Sequence, residues 1–168
     1  DAEILELACG PGNITKYLLT LRPDLRILGT DLAPNMIERA KINNPAAEFM
    51  LLDVREISSI HKKFDGIVCG FCLPYLSMEE TRQLISDASK LLRPHGVLYL
   101  STMEDDHSKS GLRKGSKGDE IYMHFYLAND LSELLQKNGF KELSIERVSS
   151  EQTDGSMVVD LVMIAEKT

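Results

Sequence analysis

Basic residues are in deficit: 19 Lys and Arg stand against 26 Asp and Glu, for a formal net charge of -7. Nucleic-acid binding draws on basic surface that neutralises phosphates, so this balance argues against it as a general function and leaves room only for a local basic site. Long apolar runs are missing too. The longest, Gly66 to Leu76, is interrupted by Pro74 and is too short to span a bilayer. No signal peptide is expected, since the first residues already read as a core strand. Cysteine is sparse and odd in number, with Cys9, Cys69 and Cys72 forming no disulfide framework. Reduced thiols in a cytoplasm fit that count. Internal repeats and low-complexity tracts are absent. What is present is 168 residues, 43% hydrophobic and 27% charged. That is the profile of a soluble globular protein, long enough for one domain over 1–168 and too short for two ordinary ones.

The chain is organised around Ile4-Leu5-Glu6-Leu7-Ala8-Cys9-Gly10-Pro11-Gly12-Asn13. Alternating apolar and acidic residues predict a strand, the glycines a tight loop, and the residues after them a helix. A side chain at Gly10 or Gly12 would hold a ligand away from the backbone. Free N–H groups at a helix start face anions or the polar end of a cofactor. Glu6 at the strand end repels phosphate and attracts a cation, so the loop suits a ligand with a positive head better than a pyrophosphate.

Strand and helix patterns then alternate. Strands are expected at Arg26–Thr30, Glu48–Leu52, Phe64–Cys69 and Val97–Leu100. Between them, Asn13 caps a helix to about Leu21 with Ile14, Tyr17, Leu18 and Leu21 inward, and Pro34 opens a second, stopped by Asn43-Asn44-Pro45. Val54 to Ile60 forms a short helix, and Ser77 with Glu80 makes a capping box for a longer one. Arg93 to Gly96 is a turn. This alternation predicts an α/β fold: a parallel sheet, doubly wound with helices on both faces. Ser101 to Asp119 has no apolar period and reads as a long loop or lid. Glu120 to Leu127 alternates as a strand would, placing Tyr122, His124 and Tyr126 on one face, either lining a pocket or exposed. A helix from Ala128 ends at Gly139, and Leu143–Val148 and Met157–Ala165 pair as a hairpin.

Chemistry-bearing residues collect at the strand ends. Asp31 ends the second strand, where a carboxylate in a doubly wound fold accepts hydrogen bonds from ribose hydroxyls, though it would also suit a helix cap. Asp53 ends the third, placed either to accept the exocyclic amine of an adenine or to cap the short helix. Leu32, Met36 and Val54 would sandwich a flat ring or pack as core.

These residues carry a resemblance. Glu6 to Asn13, Gly29 to Met36 around Asp31, Leu51 to Val54 around Asp53, Phe64 to Cys69 and Leu91 to Leu98 together resemble the class I S-adenosylmethionine-dependent methyltransferases of the small-molecule type. The resemblance runs from Ile4 to Ala165. It implies a seven-stranded mostly parallel sheet with the last strand antiparallel, and S-adenosylmethionine as cofactor. It also implies a backbone cradle at Ala8, Gly10 and Gly12 for the methionine part, and a fourth-strand loop from Gly70 near the transferred methyl. Ala8 replaces the family's first glycine, a small residue for a small one. The family's cap helices before strand one have no counterpart in this sequence. The implied partner is a small-molecule methyl acceptor with an oxygen, nitrogen or sulfur nucleophile.

Tyr75, just after the fourth strand, and His124 are the catalytic candidates. Cys69 and Cys72 read as small buried residues rather than a redox or zinc pair, and no metal is expected. Lys109, Arg113, Lys114 and Lys117, with His107, form either a solvated charged loop or a lid over an anionic substrate. Two other functions compete: an NAD-dependent dehydrogenase, whose fingerprint would need glycine where Thr15 stands, and a non-catalytic cofactor-binding module.

Overall fold

In the computed structural model of the chain, residues 1–114, 118, 120–151 and 155–168 are described. The alternation read from the sequence becomes β1 (Glu3–Leu7), α1 (Asn13–Leu21), β2 (Arg26–Asp31), α2 (Pro34–Asn43), β3 (Glu48–Leu51), β4 (Phe64–Gly70), α3 (Met78–Leu91) and β5 (Leu92–Met103). A separate hairpin, β6 (Gly111–Lys114) and β7 (Glu120–Met123), follows, then α4 (Ala128–Lys137), β8 (Phe140–Glu151) and β9 (Met157–Lys167). The main sheet has seven strands in the order β3-β2-β1-β4-β5-β9-β8. Neighbours among β1 to β5 are parallel, and β9 runs antiparallel to both β5 and β8. Strand order reverses between β1 and β4, so the crevice outside their carboxyl ends is the topological switch point.

The core follows from period-two burial. Leu5, Leu7, Ile67, Cys69, Leu98 and Leu100 point to one face and pack against Leu84 and Ile85 of α3 and Leu131 and Leu135 of α4. A smaller cluster of Cys9, Ile37, Ala40 and Phe49 seats α2 on the opposite face. α3 starts where the sequence places it: the Ser77 N–H donates to Glu80 Oε2 at 2.7 Å and the Glu80 N–H to Ser77 Oγ at 3.3 Å.

Four expectations are corrected. α1 is capped by Gly12 in a left-handed conformation, φ 81°, rather than by Asn13. Its expected inner residues Tyr17 and Leu21 are 63% and 59% exposed. Tyr17 lies instead along an apolar groove of about 460 Å³ with Ile14, Leu18, Val68 and Tyr99. Arg93 to Gly96 is a bulge within β5: pairing with β4 begins at Leu92, shifts, and resumes at Val97, with His95 left-handed at φ 62°. Ser101 to Asp119 is not an aperiodic loop throughout, since it carries the end of β5, a 3₁₀ turn at His107–Lys109 and β6. Lys117 and part of the turn before β9 lie outside the described residues.

Candidate functional site

The glycine loop leaves β1 with Ala8, Gly10 and Gly12 all at positive φ, 50°, 53° and 81°. It is held from several sides. The Cys9 N–H donates to the Thr30 carbonyl at 2.8 Å, and the Gly10 N–H to Asp31 Oδ2 at 2.8 Å. Asn43 and Asn44, at the end of α2, donate to the carbonyls of Pro11 and Gly12 at 2.9 and 3.0 Å. A Cβ built at Gly10 meets nothing within 4 Å, so that backbone faces open space. At Gly12 a Cβ would collide with the Asn44 amide. Glycine is needed there for its left-handed φ and for the close approach to α2, a contact not visible in the spacing.

Beneath the loop, Glu6 is 1% exposed and takes the Thr15 hydroxyl on Oε2. Its other oxygen, Oε1, has no partner among the described residues. Burial pushes its carboxyl up to about 7, with the Thr15 hydrogen bonds opposing. Thr15 itself is fully buried. The position where a dinucleotide fingerprint needs glycine thus carries a hydroxyl that anchors a carboxylate.

Asp31 is tied to the loop on both oxygens: Oδ2 takes Gly10, and Oδ1 takes the Ala33 N–H at 2.8 Å. Each oxygen keeps a further lone pair. Beyond it on the β3 side, Asp53 caps the 3₁₀ helix Val54–Ser59 by accepting the Arg55 N–H at 3.0 Å. The Arg55 guanidinium holds its carboxyl below the usual range. Leu32 is exposed, while Met36 and Val54 are half-buried, with Val54 packed on the main core. Gly70 ends β4 opposite Ser101 of β5, and the Phe71 N–H donates to both Ser101 Oγ and its carbonyl. The row Glu6, Gly10, Asp31, Asp53 and Gly70 therefore follows the carboxyl edge of four adjacent strands.

Tyr75 is 56% exposed on the 3₁₀ turn Leu73–Tyr75. His124 is brought to the same turn by its backbone, whose N–H donates to the Pro74 carbonyl at 2.8 Å. The His124 ring stacks on His107 at 6.1 Å and meets Tyr122 at 4.7 Å. Burial, and then the charge of His107, push its pKa down, so it is neutral at neutral pH. Tyr126 does not line a pocket. It is fully buried, with its hydroxyl bonded to Thr81 Oγ1 at 2.9 Å and to the Leu76 carbonyl. β7 stops at Met123, so the alternation that grouped Tyr122, His124 and Tyr126 ends before the last of them.

Cys9, Cys69 and Cys72 are buried with free thiols. Burial lifts Cys9 to about 12, and the Cys72 hydrogen bond with burial lifts Cys69. Lys109 pairs with Asp105 at 2.8 Å, and the Arg113 guanidinium sits 5.7 Å over the Phe125 ring. A groove of about 570 Å³ beside α3 and α4 shares only His107 with the residues above. Among the described residues no helix is long and apolar enough to cross a membrane.

A family model described as a methyltransferase domain matches residues 4–96. Trans-aconitate 2-methyltransferase of Enterobacter sp. is 42% identical over 97 residues, covering 58% of this chain and 37% of that protein. Malonyl-[acyl-carrier protein] O-methyltransferase of Acetivibrio thermocellus is 33% identical over 102 residues, covering 60% and 35%. The chain thus spans well under half the length of these curated relatives. The crystal structure of a SAM-dependent methyltransferase from Methanosarcina mazei superposes with a TM-score of 0.84 at 21% identity, covering 99% of this chain and 92% of that one.

Proposed function

The chain belongs to the methyltransferase-domain family, and from that premise we propose that it binds S-adenosylmethionine across the β1/β4 crevice and methylates a small molecule. The observation that carries this reading is the row of polar groups on consecutive strand ends, with an open backbone at Gly10 and an unpartnered buried oxygen on Glu6. That set fits a ligand with a cationic end, a ribose and a base. Ala8, Gly10 and Gly12 cradle the methionine part. Glu6 lies under it, and a cation close by would pull its carboxyl back toward the ionised form. The free lone pairs of Asp31 accept the ribose hydroxyls. Asp53 accepts the adenine amine, and Leu32, Met36 and Val54 flank the ring.

When bound, the cofactor supplies a methyl group already activated on a positively charged sulfur. The protein's share of the work is alignment in a dry site, which contributes several kcal/mol. The loop after Gly70 lies at the β4 end, near the transferred methyl, with Gly70 itself packed against Ile14 of α1. Tyr75 and His124 face the acceptor side, with the β6–β7 arm as a lid. The acceptors in the names of the two relatives, malonyl-[acyl-carrier protein] and trans-aconitate, support a carboxylate oxygen as nucleophile. Such an oxygen arrives deprotonated and needs no general base.

Transfer of a labelled methyl group to a panel of di- and tricarboxylic acids, amines and thiols tests this function. Labelled product from a carboxylate is expected. No product from any acceptor, with cofactor binding intact, would leave a binding module.

A further inference from the structure

The subsite read above for adenine is already engaged by a cation. Arg55 Nε lies 2.9 and 3.0 Å from the two oxygens of Asp53, and Nη2 lies 2.5 Å from Oδ2. The same guanidinium reaches the other way: Nη1 donates to Glu80 Oε1 at 3.3 Å. Arg55 is half exposed, whereas Asp53 is 19% exposed. Glu80 closes the capping box of α3 with Ser77. One side chain therefore bridges the end of β3 and the start of α3.

A guanidinium fork is a stronger donor to a carboxylate than a neutral aromatic amine, and it takes up both oxygens at once. An adenine amine can reach Asp53 only by sharing it or by displacing Arg55. Glu80 offers Arg55 a second carboxylate within reach, so displacement does not strand the charge. We propose that Arg55 is a displaceable counter-ion of the adenine subsite: it holds Asp53 in the empty protein and turns to Glu80 when an exocyclic amine takes Asp53. Arg55 thereby sets cofactor affinity. This inference rests on the reading of Asp53 as the adenine acceptor.

Calorimetry with S-adenosylhomocysteine at low and high salt separates the two. Arg55→Gln should bind about two- to five-fold tighter than wild type at low salt, the size of an exposed ion pair. Salt screens that pair, so wild-type affinity should rise with salt while Arg55→Gln stays flat. Asp53→Ala should weaken binding by about ten-fold or more. Adding Arg55→Gln to that variant should then change nothing. Arg55→Lys, which keeps the charge without the fork, should fall between. If Asp53→Ala weakens binding but Arg55→Gln binds equally or less tightly, Arg55 is not a competitor and the inference fails alone. Wild-type affinity in Asp53→Ala would overturn the reading of Asp53 and the inference with it. Thermal melts check that each variant is folded.

Discussion

Ala8 stands where the backbone is left-handed, φ 50°, and an L side chain there costs about 1 kcal/mol. Ala8→Gly should raise unfolding stability in urea by about that amount, and an unchanged midpoint would mean that the loop relaxes the strain elsewhere. Glu6 links the fold to pH. Its folded pKa of about 7 lies above the ordinary 4.5. The unfolded chain gives up the proton first, so stability falls as pH rises from about 4.5 to 7 and levels off above. For a side chain this buried the loss reaches up to about 3 kcal/mol. Glu6→Gln should flatten that part of the stability profile, and an unaltered slope would assign it to other groups. Asp31→Ala removes both proposed ribose acceptors and the anchor of Gly10. It should cost about 2–3 kcal/mol of cofactor affinity by calorimetry. The strand-end positions of Glu6, Asp31 and Asp53 were legible because place along a strand is a local property of the sequence. Thr15, Asn44 and Arg55 were not, because their roles arise from contacts made only after folding: Thr15 under Glu6, Asn44 across to Gly12, Arg55 across to Glu80.

The β6–β7 arm shows why an element escapes notice. β6 is exposed along most of its length and carries no apolar alternation, so the sequence reads it as loop, whereas β7 lies inside the alternating run Glu120 to Leu127. The base of the arm is fixed, however. The His124 N–H holds the Pro74 carbonyl, the Tyr126 hydroxyl holds Leu76 and Thr81, and Arg147 holds Glu104 at the end of β5. Hydrogen exchange should be slow from His124 to Tyr126 and fast in 111–114 and 120–123, with the fast segments slowed when cofactor and acceptor are both present. Uniformly fast exchange with both ligands bound would make the arm a passive loop. α3 was readable from its capping box, whereas the length of β5 was not, because Pro94 and Gly96 look like a turn when they are a bulge inside a longer strand.

At the scale of the molecule, the parallel sheet was legible in the alternation of strand and helix, and the reversal of strand order follows from where the connections cross. Parallel pairing puts the glycine loop, Asp31 and Asp53 on one edge, and the reversal gives the fold its crevice. The exposure of Tyr17 and Leu21 was hidden, because an apolar face says that a helix has something to bury and not that it is buried here. The central claim is that this crevice takes an adenosyl cofactor with a sulfur-bearing tail rather than a dinucleotide. Thermal unfolding with S-adenosylhomocysteine or NADH tests it most directly. At a hundred times its dissociation constant, a ligand bound only by the folded state adds about 2.7 kcal/mol, which for a chain of this size is about 5–10 °C. S-adenosylhomocysteine should give that shift and NADH none; a shift with NADH and none with S-adenosylhomocysteine would contradict the account.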